Sequence, residues 1–224
     1  MPRIAPISPY PMPAEAELPT PIAPWQPNPR RAVLLIHDMQ EYFLRPFDGA
    51  GSPRRDLVDN IARLRRRCAE LGMPVAYTAQ PGGMNASERG LLADFWGPGM
   101  RTTPADRAVV TPLEPAPGDW RLTKWRYSAF FRSNLHDRIR EQGRDQLIVC
   151  GVYAHVGVLS TAMEAFTNDI QAFVVSDGVA DFSAEQHRLA LEHAARTCAV
   201  VQPTHRLLAE LGTAMTTGTQ GVRR

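Results

Sequence analysis

Of the 25 basic residues in this chain, 24 are arginine and one, Lys124, is lysine. A guanidinium is a planar, permanently charged fork, whereas an ammonium is a compact point charge whose pKa shifts readily on burial. Lys124 closes a short strand-like run, Trp120-Arg-Leu-Thr123. Other polar side chains stand in the same kind of place. Asp38 lies just past Ala32-Val-Leu-Leu-Ile36, Gln80 past Pro74-Val-Ala-Tyr-Thr78, and Tyr153-Ala-His155 past Gln146-Leu-Ile-Val-Cys-Gly-Val152. In a parallel sheet all these strand ends face one edge, where ligands bind. An acid, an amide, an ammonium and a phenol would then meet in one crevice. Beside it a helix begins near Val156, and its first N–H groups favour an anion. Gly157, in the first turn, leaves room for a ligand to approach the backbone. Each residue also has a plain structural reading: Asp38 as a helix cap, Gln80 as a loop residue, Tyr153 as core.

Apolar runs and amphipathic stretches alternate along the chain, which implies a three-layer α/β/α fold around a six-stranded, mainly parallel sheet. Strands are expected at 32–36, 74–78, 120–123, 146–152, 172–176 and 198–201. Ser52-Pro53 reads as an N-cap with proline at the first helical position, and Gly72 as that helix's stop. Further helices are expected near 133–142, 156–168 and 183–197, the last opened by Ser183-Ala-Glu-Gln186. A closing helix ends near Leu211. Residues 79–118 form a long excursion, and long loops in compact domains are usually functional.

The domain is bounded at 31–211. Ten of the 20 prolines fall in residues 1–29, too many for a ladder or long helix. The same stretch carries Ile4, Ile7, Tyr10, Leu18, Ile22 and Trp25, so residues 1–30 read as an extended arm laid over the domain or a partner subunit. Residues 212–224 read as a loosely held tail. A net charge of +2 gives no case for nucleic acid or a membrane, and Arg63-Leu-Arg-Arg-Arg67 reads as a solvated helix face. Cys68, Cys150 and Cys198 lie far apart with no metal-ligand spacing, consistent with buried thiols of a cytoplasmic protein. No metal or other cofactor is implied.

The motifs Leu35-Ile-His-Asp-Met-Gln40, Tyr77-Thr-Ala-Gln80, Leu122-Thr-Lys124 and Cys150-Gly-Val-Tyr-Ala-His-Val-Gly157 together resemble the isochorismatase-like hydrolases, a Rossmann-like superfamily that includes nicotinamidases and other cysteine amidohydrolases. The amidohydrolases use an Asp, a Lys and a nucleophilic Cys. Here Gly157 stands at the cysteine position, so covalent amide hydrolysis has no residue to carry it. Phe43-Leu-Arg-Pro46, Asp94-Phe-Trp-Gly-Pro-Gly-Met100, Lys124-Trp-Arg-Tyr-Ser-Ala-Phe-Phe131 and Ala180-Asp-Phe-Ser183 extend the likeness to the isochorismatases of phenazine biosynthesis, from about Tyr10 to Leu208.

That resemblance implies hydrolysis of the vinyl ether of isochorismate or 2-amino-2-deoxyisochorismate, releasing pyruvate without a covalent intermediate. Asp38 would be the acid and Lys124 its partner. Gln80, Arg89 and Tyr153, with Lys124, would hold the carboxylates of a small dicarboxylate substrate, and Arg89 suits a bidentate clamp. Tyr42, Phe43, Trp96 and Tyr127 either line the ring pocket or pack as core and lid. The family also implies a homodimer and a non-proline cis peptide at Val152-Tyr153. Some members carry a C-terminal carrier domain, which this chain is too short to hold. A non-catalytic binding or scaffolding protein, or an amidohydrolase with an atypical nucleophile, remain the other readings.

Overall fold

The computed structural model describes residues 4–47, 49 and 51–217, with side chains to residue 214. Six strands, β1 (Ala32–His37), β2 (Val75–Ala79), β3 (Trp120–Thr123), β4 (Gln146–Val152), β5 (Gln171–Ala180) and β6 (Ala199–Gln202), pair in the order β3-β2-β1-β4-β5-β6. Every pairing is parallel. The chain runs outward from β1 to β3, then returns to place β4 on the other side of β1. The strand order therefore reverses between β1 and β4, which opens a crevice at their carboxyl ends. Both strands are buried along their whole length, in keeping with the apolar runs at 32–36 and 147–152.

Helices cover both faces. On one side α2 (Arg54–Glu70) presents Leu57, Ile61, Leu64 and Cys68 at helical spacing, and these pack with Leu207 and Leu211 of α9 (Thr204–Thr217). On the other, α6 (Leu135–Glu141), α7 (Leu159–Thr167) and α8 (Ala184–Thr197) bury Leu135, Ile139, Ala162, Ala165 and Leu191. Gly72, with φ of 64°, ends α2 as expected. Pro53 is the N-cap residue of α2 and not its first helical residue. Arg65, expected in solvent, instead reaches Tyr77 Oη and Asp119.

Several boundaries shift, among them that of β5, which runs to Ala180 and not to 176. The closing helix passes the expected stop at Leu211 and includes Gly212, whose missing side chain faces the Arg67 guanidinium; of the expected tail, 218–224 lie outside the described residues. The helix expected from Val156 begins instead with a π-helical turn, Ala154–Val158, before α7. The excursion is built from α3 (Ala86–Arg89), α4 (Leu92–Trp96) and α5 (Pro104–Arg107), with α1 (Glu41–Leu44) beneath it. Asn85 and Glu88 form a reciprocal cap that starts α3 and so aims Arg89.

The arm lies on its own domain. Ile7 is buried and its N–H donates to Pro46 O, while Ile4, Met12, Ala23 and Trp25 pack against the same core. The Tyr10 hydroxyl accepts from Asp181 N–H at 2.7 Å and lies 3.1 Å from Asp181 O. Tyr10→Phe leaves that buried N–H unpaired and should lower stability by about 1–3 kcal/mol in urea unfolding. Deleting residues 1–24 should lower Tm further. Unchanged unfolding of both variants would mean the arm contributes nothing to the fold.

Candidate active site

The parallel register sets the site. His37 ends β1 opposite Gly151 of β4, and the next residue, Asp38, turns out of the sheet at φ 51°. Asparagine and aspartate tolerate this left-handed conformation better than most residues. Thr78 on the neighbouring strand captures Asp38 twice: its hydroxyl donates to Oδ1 at 2.5 Å and accepts from the Asp38 N–H at 3.1 Å. Lys124 is held by its own N–H on Ala79 O, and its Nζ lies 3.1 Å from Asp38 Oδ2. The side chains of Asp38 and Lys124 are only 7% and 3% exposed.

Burial pushes the Asp38 carboxyl up, but Lys124, His37 and the Thr78 hydroxyl outweigh it and hold its pKa below the usual carboxylate value. Burial likewise lowers the Lys124 pKa, with Asp38 opposing. Asp38 is thus a carboxylate in the free protein at neutral pH. Beside it, His37 is fully buried, with its Nδ1 2.8 Å from Val152 O. A carbonyl only accepts, so Nδ1 carries the proton. Burial and then Lys124 lower the His37 pKa to about 4, and the ring is neutral. Its Nε2 turns toward the Tyr127 main chain without a well-aligned hydrogen bond.

Asp38, Lys124, Gln80, Arg89, Tyr42, Phe43, Trp96, Tyr127, Tyr153 and Gly157 all line one cavity at this sheet edge. Gln80 is fixed through its main chain, which exchanges hydrogen bonds with the Gln40 amide, and its side-chain amide has no partner among the described residues. Arg89 is buried with Nε on Gly97 O and Nη2 near Trp96 O; burial lowers its pKa. Trp96 Nε1 donates to Tyr127 Oη at 2.9 Å, closing one wall.

Three expectations need correction. The N–H groups at the start of the helix are not free for an anion: those of Val156, Gly157 and Val158 converge on Tyr153 O, and that of His155 donates to Asp181. The Tyr153 hydroxyl is committed to Phe43 O at 2.6 Å, and burial pushes its pKa well up, so the ring lines the cavity while its O–H proton points away from a substrate carboxylate. The space beside Gly157 is filled by the His37 ring and not left open. The Val152-Tyr153 peptide is cis.

Sequence reasoning missed His37, Arg126, Thr78 and Ile4. His37 stood inside a motif read only for its aspartate. Arg126, two residues past Lys124, lines the cavity and donates Nη1 to Glu88 O and Trp125 O. Ile4 brings the arm to the cavity wall. The signal available for Arg126 was its place two residues past Lys124, while Ile4 was read only as part of the arm.

Neither Arg89 nor Arg126 has a carboxylate partner among the described residues. With neutral His37, three cations among the described residues face one carboxylate, a surplus of two positive charges. Among the described residues no serine, threonine or cysteine lines the cavity. The three thiols are buried elsewhere: Cys150 Sγ lies against Leu35 O, and desolvation pushes its pKa well up.

Residues 32–206 match the isochorismatase domain family. The chain belongs to that family. It is 59% identical to the phenazine biosynthesis protein PhzD1 of Pseudomonas aeruginosa, over 93% of this chain and all of that one. It is 53% identical to the isochorismatase of Bacillus subtilis, over 92% of this chain and 66% of that protein. Among solved structures, a cysteine hydrolase from Pseudomonas syringae superposes with a TM-score of 0.79 at 24% identity, covering 87% of this chain and 99% of that one; it shares the fold.

Lys124→Arg tests the ion pair. A fork that carries the same charge cannot occupy the point-charge position 3.1 Å from Oδ2. A misplacement of about 1 Å at a reacting group costs on the order of 100-fold, and we expect a fall of that size in kcat/KM. Near-normal turnover would remove Lys124 from the machinery.

Proposed function

We propose that this isochorismatase-type hydrolase cleaves the vinyl ether of isochorismate or 2-amino-2-deoxyisochorismate, releasing pyruvate with a dihydro-dihydroxybenzoate or a dihydro-hydroxyanthranilate, in aromatic secondary metabolism. The observation that carries this reading is the charge of the cavity. Two surplus cations around a buried acid match a dianion, and both substrates bring two carboxylates to a reaction that needs an acid.

Hydrolysis of a vinyl ether begins with protonation of its methylene carbon. Asp38, the one carboxyl group among the described residues that line the cavity, is the proton donor. The C=C pair takes the proton, the ether carbon becomes an oxocarbenium ion, and water adds to it. That water returns its own proton to the Asp38 carboxylate. The hemiketal then collapses to pyruvate and the ring alcohol, so one water is consumed and the acid is restored. No nucleophilic side chain takes part, in keeping with a cavity that offers none. Arg89 and Arg126 bind the carboxylates. Gln80 offers its unpaired amide, and Tyr42, Phe43 and Trp96 enclose the ring.

Asp38 must gain a proton before it can give one. A bound dianion engages Lys124 and adds negative charge beside the carboxyl, and both effects raise its pKa. A group whose pKa rises on binding takes up a proton wherever the pH lies between its free and bound values, and affinity there falls as pH rises. Calorimetric titration with the saturated lactyl ether analogue, in buffers of different ionisation enthalpy, should show uptake of about one proton in wild type and none in Asp38→Asn. No uptake in wild type would mean that substrate does not install the proton. Asp38→Asn should bind the analogue yet release pyruvate about 10²–10⁴-fold more slowly. A variant retaining a tenth of wild-type turnover would exclude Asp38 as the acid.

Two further properties complete the proposal. No helix among the described residues is long and apolar enough to cross a membrane, and three unpaired buried thiols suit a reducing cytoplasm. A homodimer, which the family resemblance implies, belongs to the same proposal.

A further inference from the structure

Glycine at position 157 is required by space and not by backbone conformation. Its φ lies outside the left-handed region, so an L side chain meets no backbone penalty. What excludes one is His37: a Cβ at 157 would overlap the ring's Cε1 and stand 2.8 Å from Nε2 and 3.2 Å from Nδ1. The ring cannot easily move aside. Its own backbone is pressed on Gly151, where a Cβ would overlap the His37 carbonyl oxygen, and its Nδ1–H is tied to Val152 O. His37 Nδ1 also lies 3.8 Å from Asp38 Oδ2, so the same ring forms one side of the acid's enclosure.

We infer that His37 is a positioning residue that also sets the reaction class: its imidazole occupies the volume any nucleophilic side chain at 157 would need, and through Val152 O it fixes the wall beside Asp38. The absence of covalent chemistry is therefore held by two positions. Replacing Gly157 alone does not open the cavity to a nucleophile; His37 must shrink as well. Conversely, the imidazole at 37 is compatible only with glycine at 157.

The two roles separate in His37→Asn. Its side-chain amide can place an N–H where Nδ1–H sits while removing Cε1 and Nε2, the atoms nearest position 157. A double-mutant cycle tests occupancy. Gly157→Ala in the wild-type background should lower Tm on the order of 5 °C, as overpacked cores do. In the His37→Asn background the same change should move Tm by no more than about 1 °C. Failure of Gly157→Ala to fold, with rescue by His37→Asn, supports the same conclusion. Equal losses in both backgrounds, or no folding in either, overturn it. A Gly157→Cys thiol should be alkylated by iodoacetamide in native protein far faster when His37→Asn accompanies it, and equal rates again refute occupancy.

The kinetic arm rests on the vinyl-ether reading, whereas the thermal and alkylation arms need no substrate, so the two ideas can fail separately. His37→Ala should lower kcat for pyruvate release by about tenfold with little change in KM, because the carboxylate-binding groups are untouched. His37→Asn should recover most of that loss. If Asn is no better than Ala, the Nδ1–H to Val152 O contact does not position the acid.

Discussion

Everything around the cavity follows from a carboxylate and an ammonium held 3.1 Å apart where water hardly reaches them. Removing one partner of such a pair leaves an uncompensated buried charge, a cost of about 3–5 kcal/mol. The sheet must therefore bring both to one place, and it does so through register. Thr78 lies beside His37 on one side and Leu122 on the other. That alignment places Asp38, Thr78 and Lys124 at adjoining strand ends. A slip of one residue in either pairing would turn one of the charges to the opposite face of the sheet. The long apolar runs of β1 and β2, buried on both sides, make such a slip expensive.

The other charged groups are arranged so that the pair is not quenched further. Arg89 and Arg126 are held by the carbonyls of Gly97, Trp96, Glu88 and Trp125, not by carboxylates. Carbonyl oxygens orient a guanidinium without cancelling its charge. Gly99 allows the close packing against Arg89 that this requires, since a Cβ there would meet its guanidinium at 2.7 Å. Acidic residues nearby are kept for other tasks. Glu88 caps α3, and Asp181 accepts from His155 and Phe182 N–H to hold the turn that carries Tyr153 and Gly157. The counter-ion of the cavity is thus left to the ligand.

The strands and the residues just past them were legible because each depends on local sequence: an unbroken apolar run, then a polar residue at its carboxyl end. That rule found Asp38, Gln80, Lys124 and Tyr153. It failed where tertiary packing decides. Whether the Tyr153 hydroxyl faces substrate or Phe43 O depends on α1, which no periodicity announced. The π-helical turn at Ala154–Val158 looks like ordinary helix in sequence, so its main-chain N–H groups were counted as free. Asn85-Ala-Ser-Glu88 carried a capping signal within a stretch read as irregular, and that cap is what aims Arg89. His37 was hidden for another reason. A histidine at the end of a buried strand shows its role only when its neighbours more than a hundred residues on, Gly151 of β4 and Gly157 of the turn after it, are known.

The depressed pKa of Asp38 looks at first like an argument against an acid, and it resolves into one about timing. An aspartic acid kept protonated in the empty cavity would leave Lys124, Arg89 and Arg126 with no negative charge among them, which burial makes costly. A carboxylate there stabilises the free protein, and burial of the dianion beside it then supplies the drive for protonation. On the proposed mechanism the proton passes to carbon and returns from the attacking water, so none is lost between binding and product release. Neutral His37 keeps this exchange confined to Asp38, since its one N–H is committed to Val152 O and its low basicity gives it no claim on the proton. On that mechanism the charge of the substrate is part of the catalytic apparatus, and a neutral analogue lacking its carboxylates would find the acid ionised and unable to act.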